Sequence, residues 1–109
     1  MVQPLGEFEQ LVLLAILQAA DDAYALAVIR QLDDRANRRV DRGTLYKTLD
    51  RLEAKGLVKW TVEDATPDRG GHRRRLFTVT KQGIAALRAS REVLFNLWDG
   101  LEPILRGSS

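Results

Sequence analysis

The sequence predicts a mainly α fold in which three helices, a two-stranded β-hairpin and a long terminal helix follow one another. Three observations predict it. Leu45, Leu49 and Leu52 recur at i, i+4 and i+7, the spacing of one helical face. After Gly56 the apolar period drops to two, first through Val58, Trp60 and Val62 and again beyond a turn-rich loop. From Ile84 onward, apolar residues return every seven positions.

The first helix is expected from Leu5 to Ala20. Leu5, Phe8, Leu11, Val12, Leu14, Ala15 and Leu17 cover so much of its circumference that it should be the central post of the core. Asp22 is placed to cap a second helix that runs to about Asn37, with Tyr24, Ala27, Val28, Ile29 and Leu32 on its inner face. Its basic end, Arg35 to Arg39 with Arg38 included, suits the negative pole of a helix C-terminus; the same charges could equally reach nucleic-acid phosphates. Asp41 can cap a third helix, and Gly56 suits the left-handed residue that ends it. Its roughly four turns are long enough to lie in a DNA major groove. Arg42, Tyr46, Lys47 and Arg51 fall away from its leucine face, a pattern that by itself also describes an ordinary surface helix with solvated charges.

Val58, Trp60 and Val62 alternate with Lys59, Thr61 and Glu63, which gives a half-buried strand with Trp60 as a core residue beneath the hairpin. The loop from Asp64 to His72 carries Pro67, Gly70 and Gly71. In the second strand, Arg75, Phe77 and Val79 share one face while Arg74, Leu76 and Thr78 share the other. Thr80 can cap a last helix from Lys81 to about Leu101. There Ile84, Arg91, Trp98 and Leu105 repeat at seven, as do Leu87, Leu94 and Leu101, making an a/d stripe that only Arg91 interrupts. We read Ile84, Leu87, Leu94, Trp98 and Leu101 as a homodimer seam, the alternative being a helix folded back on its own domain. Gly100 and Pro103 should fray or bend its end and leave Arg106 to Ser109 without fixed structure. The chain thus divides into a domain over residues 1–80 and a dimerisation helix with a short tail over residues 81–109.

Composition limits the chemistry. A chain of 109 residues, 45% apolar and 29% charged, describes a soluble globular domain. With no cysteine, disulfides and thiolate sites are excluded. The longest apolar run, Leu11 to Leu17, is far below the ~20 residues that span a membrane, so the expected location is the cytoplasm, with no membrane partner. Charge is unevenly divided: Met1 to Asp34 holds six acids and one arginine, whereas Arg35 to Lys81 holds thirteen basic and six acidic residues. Clustered cations rather than net charge drive polyanion binding. The single histidine, His72, lies among loop arginines, and no paired carboxylates, metal spacing or phosphate-cradling glycine motif accompanies it. An enzyme is not expected, nor is a cofactor.

Three helices, a hairpin with a basic tip and a long terminal helix make the winged helix-turn-helix arrangement. The stretches LGEFEQLVLLAIL, DDAYALAVIRQL, RGTLYKTLDRLEAKGLV and RRRLFTVTKQGIAAL resemble the PadR family of bacterial transcriptional regulators, in its compact subgroup with a single C-terminal helix. The most specific part is the G-T-L-Y block of Gly43 to Val58 followed by the T-x-x-G of Thr80 to Gly83. The resemblance implies a homodimer that binds palindromic operator DNA and usually represses transcription. It places Thr44, Tyr46 and Lys47 on the exposed recognition helix and Arg69 to Arg75 in the wing. The residue chemistry agrees. Thr44 and Tyr46 can reach phosphates, and Lys47, Arg42 and Arg51 phosphates or guanine edges. Gly70 and Gly71 let the backbone turn close to the duplex while Arg69, Arg73 and Arg74 aim charge at it. Tyr46 could instead be a core aromatic. Many family members have Gly at Ala25, and a Tyr pair at Leu76 and Phe77. Family members also respond to planar apolar compounds, and Trp98 with Phe95 and Phe8 could stack on such an effector; the alternative is that Trp98 only anchors a dimer. A winged-helix interaction scaffold with an acidic protein partner is the competing function.

Overall fold

In the computed structural model, which describes residues 4–63 and 73–107, helix starts follow local chemistry closely. Helix α1 (Glu7–Ala19) opens with the Glu9 carboxylate accepting the Gly6 N–H at 2.9 Å. Helix α3 (Arg42–Ala54) opens with Asp41 accepting the Thr44 N–H at 2.7 Å, and Gly56 leaves it at φ 76°. Helix α4 (Lys81–Trp98) opens on Thr80, whose hydroxyl accepts the Gly83 N–H at 3.0 Å and donates to the Gly56 carbonyl at 2.7 Å. One side chain thereby caps α4 and ties it to the end of α3.

Helix α2 (Ala25–Ala36) starts later than the sequence predicts. Asp22 closes a 3-10 turn (Ala20–Asp22), and Tyr24 takes the capping position in extended conformation. The Ala23 carbonyl between them accepts the Phe77 N–H at 2.9 Å, so a distant strand pins the tight turn at Ala23, which the Tyr24 N–H closes on the Asp22 carbonyl at 2.7 Å. Asn37 ends α2 in the left-handed region, where the expected stop lies. Its buried line is Ala25, Val28 and Leu32; Ala27 and Ile29 are only half-buried.

Strands β1 (Val58–Glu63) and β2 (Arg74–Val79) pair antiparallel, with Val58 opposite Val79, Trp60 opposite Phe77 and Glu63 opposite Arg74. Their shared face follows the expected alternation where it meets the core: Val58, Phe77 and Val79 are buried. Burial fades toward the tip, with Trp60 half-buried and Val62 exposed.

Helix α1 packs on α2, α3, β2 and α4, the central position its composition implies. It starts at Glu7 rather than Leu5, and its buried line is Val12, Leu13, Ala15 and Ile16, whereas Leu14 and Leu17 stay exposed. Gly83 explains why α4 can join this core. A Cβ there would collide with the Leu57 carbonyl oxygen and come within 2.6 Å of Val79 Cγ1, so only glycine permits the approach. Beyond Ala86, α4 leaves the core, and every residue from Arg91 to Trp98 is exposed. The radius of gyration, 16.3 Å, exceeds the ~13 Å of a compact chain of this length because that half projects.

The helix ends at Trp98, short of the expected Leu101. Gly100 turns the chain at φ 81° into a short α5 (Glu102–Leu105) with Pro103 in its first turn, so Leu105 belongs to a separate helix. Arg106, expected to lack fixed structure, caps α5 through its N–H to the Glu102 carbonyl at 3.0 Å.

Candidate nucleic-acid interface

Helix α3 buries Leu45, Thr48, Leu49 and Leu52 and turns its other side outward. At 100° per residue the outermost line is Gly43, Lys47, Asp50 and Ala54, all exposed. Arg42 and Tyr46 form the shoulder nearer the hairpin; Thr44 and Arg51 form the opposite shoulder. A Cβ at Gly43 would meet nothing in the protein closer than the Asp41 carboxylate at 3.6 Å, so packing leaves room for a side chain there.

Between the first shoulder and the hairpin lies a groove of about 790 Å³ whose walls include Tyr24, Arg42, Tyr46, Asp50, Arg73, Arg74 and Arg75. Three cation–π contacts shape it. The Arg74 guanidinium lies 3.8 Å from the centroid of the Tyr24 ring. That of Arg75 sits between two rings, 4.4 Å from Trp60 and 5.6 Å from Tyr46. Tyr46 in turn meets Phe77 edge-on at 6.2 Å. Each such contact is worth about 0.5–2 kcal/mol; the Arg75 and Phe77 contacts to Tyr46 fix the hairpin against α3, and Arg74 fixes it against the start of α2. Arg75, which the sequence sets apart from the other hairpin arginines, fastens the two elements together. Tyr46 combines the two roles that the sequence leaves open, since its half-buried ring packs on Phe77 yet lines the groove.

The opposite shoulder is electrostatically different. Glu9, 6% exposed, accepts from Lys55 Nζ at 2.8 Å and has Arg51 Nε at 3.8 Å. Burial alone would push its carboxyl up, but the Lys55 and Gly6 hydrogen bonds and the Lys55 and Arg51 charges outweigh that and hold it below its ordinary value. Arg38 pairs with Glu7 at 2.8 Å and stands 5.7 Å over the Phe8 ring. Of the sequence-predicted contacts, Arg42, Tyr46, Arg73 and Arg74 therefore share the groove, Lys47 stands beside it on the outward line and Thr44 on the opposite shoulder, whereas Arg38 and Arg51 are drawn toward acids of α1. Arg69, Gly70 and Gly71 lie outside the described residues, as does His72. Sequence reasoning missed Asp50; its signal is plain in retrospect, because it stands one turn beyond Lys47 on the outward line.

A second concavity, of about 420 Å³, lies between α1 and α4 and is walled by Leu14, Leu17, Ile84, Leu87, Leu94, Phe95 and Trp98 with Gln10, Arg88 and Arg91. It brings four of the predicted seam residues together with Phe95. Phe8, predicted to face this aromatic pair, does not line it: its ring sits under Arg38 instead. The Arg91 guanidinium rests 4.7 Å over Phe95, which lets a cation occupy the apolar stripe.

The sequence matches the Transcriptional regulator PadR-like family over residues 13–89. The chain belongs to that family. It is 42% identical over 79 residues to the "Transcriptional regulator Rv3488" of Mycobacterium tuberculosis (strain ATCC 25618 / H37Rv), a match covering 72% of this chain and 70% of the relative. Among solved structures, the PadR family regulator from Eggerthella lenta DSM 2243 is 28% identical with a TM-score of 0.68, covering 91% of this chain and 86% of that one. The PadR-like transcription factor from Bacteroides fragilis is 26% identical with a TM-score of 0.70, covering 89% and 88%. This PadR-like regulator therefore has the winged-helix fold and acts in DNA-binding transcriptional regulation rather than as an enzyme. Among its described residues, no helix is long and apolar enough to cross a membrane.

Proposed function

We propose that this PadR-like chain is a cytoplasmic, sequence-specific repressor that binds a palindromic operator as a homodimer. The observation that carries the reading is the groove between α3 and the hairpin, walled by Arg42, Arg73, Arg74 and Arg75 beside the exposed apex of α3. In that reading Lys47 and Asp50 enter the major groove, Thr44 and Arg42 flank them, and a phosphate strand runs along the hairpin arginines. Arg69, Gly70 and Gly71, which lie outside the described residues, are proposed as further DNA contacts; Arg51 and Arg38 reach phosphate only by exchanging their acidic partners for it.

Dimerisation is proposed through residues 81–109. In the single chain Leu94, Phe95, Leu97, Trp98, Leu101 and Ile104 stand exposed, an apolar surface that a soluble protein seldom leaves bare. Ile84 and Leu87 begin the seam from within the core. The cleft beside it has the size and apolar lining of a small-molecule site, so Trp98 and Phe95 would stack on a flat apolar effector that releases the operator.

Salt tests the reading. Phosphate-mediated binding should weaken steeply with ionic strength, while a specific site survives competitor duplex. Lys47→Ala or Arg73→Ala should weaken all duplexes alike and reduce the salt slope by about one if the residue touches phosphate, whereas a change in base preference would assign it to base readout. Salt-sensitive binding to acidic proteins with no sequence preference among duplexes would favour the scaffold function instead.

A further inference from the structure

Asp50 is an acid on a surface otherwise built for phosphate. It is exposed on the outermost line of α3, and it shares the groove with Arg42, Arg73, Arg74 and Arg75. Among the described residues no hydrogen bond or ion pair engages its carboxylate, although Lys47 stands one turn away on the same line. Its side chain lies outside the core, which α3 enters through Leu45, Thr48, Leu49 and Leu52.

An unpartnered carboxylate brought against a duplex is repelled by phosphates and by most base edges. In the major groove guanine presents only acceptors, N7 and O6, and thymine presents the O4 acceptor; both oppose a carboxylate. Adenine offers its N6 amino group but sets the N7 acceptor beside it. Cytosine offers the N4 amino donor with a C–H, not an acceptor, beside it on its own ring, so that only the paired guanine's O6 adjoins it. We propose that Asp50 is a specificity-determining residue that accepts a hydrogen bond from the N4 amino group of a cytosine in each operator half-site. The same carboxylate penalises every duplex lacking cytosine there. The proposal rests on α3 entering the major groove, and adds which base it reads.

The test is selection from a random duplex library by the full-length chain and by Asp50→Ala and Asp50→Asn, followed by competition binding on the selected site and its single-pair variants. The wild type should require a C:G pair at one position per half-site, with replacement by T:A costing about tenfold or more. Asp50→Ala should bind random duplex more tightly and lose discrimination at that pair alone. Asp50→Asn, which adds an amide donor beside the acceptor, should shift the preference there to adenine through N6 and N7. If Asp50→Ala selects the same motif with undiminished cytosine discrimination, the proposal is wrong, even if it tightens all duplexes equally, because Asp50 then acts only as general repulsion. A wild type that enriches no sequence would refute the operator-binding reading beneath it.

Discussion

Glu9 shows how one side chain serves two elements. Its carboxylate caps the start of α1 through Gly6 and holds the end of α3 through Lys55. Its folded-state pKa lies below the ordinary 4.5, so the unfolded chain binds the proton more readily. The stability this confers is complete above about pH 4.5 and is lost as pH falls through the folded value. Urea unfolding should therefore show the wild type losing more stability between about pH 5 and pH 3 than Glu9→Gln, which at neutral pH should be weaker by about 1–3 kcal/mol. Equal acid sensitivity in the two proteins would mean the carboxylate is not held as described. Asp41, also lowered, first by the Thr44 N–H, is common to both and does not enter the difference. Gly83 is the second single-residue lock. Gly83→Ala should cost about 1–3 kcal/mol in thermal or chemical unfolding, whereas Gly6→Ala, whose Cβ would meet only Glu9 Oε1 at 3.6 Å, should cost far less. Comparable values for the two would contradict the close approach of α4 to Leu57 and Val79.

At the scale of elements, α3 was readable because everything it needs is local: leucines at helical spacing, Asp41 before it and Gly56 after it. Thr80 and the alternating strands were readable for the same reason. The start of α2 was not. Asp22 has the right chemistry for a cap, but the hydrogen bond from Phe77 to Ala23, made between residues remote in the chain, holds a tight turn there and leaves the capping position to Tyr24. The pairing of Arg38 with Glu7 and of Arg51 with Glu9 is likewise invisible to local pattern, and it redistributes the basic residues that the charge count lumps together. Helix α4 has two characters. Its first half is core, through Gly83 and Ala86, and its second half presents Leu94 and Trp98 to solvent. If that half is a seam between subunits, Leu94→Glu should leave helix content unchanged by circular dichroism yet sediment as a monomer, with operator affinity lower by about a hundredfold through lost bivalency. An unchanged dimer would exclude the seam.

At the scale of the molecule, the elongated outline of 56 × 35 × 22 Å separates a basic end, where α3 meets the hairpin, from an apolar projecting end. In the proposed mode of binding a single copy would read only a few base pairs, too few for useful discrimination among genomic sites, and two copies joined by their projecting ends would multiply that discrimination. Two-fold symmetry in such a dimer would demand two-fold symmetry in the DNA, with the two copies of α3 in neighbouring major grooves. Selection of bound sequences from random duplex by the wild-type chain examines this directly. The account predicts an inverted repeat whose half-sites are centred about one helical turn, roughly 10 base pairs, apart or a multiple of it. An enriched motif without two-fold symmetry, or no enriched motif at low ionic strength, would contradict it.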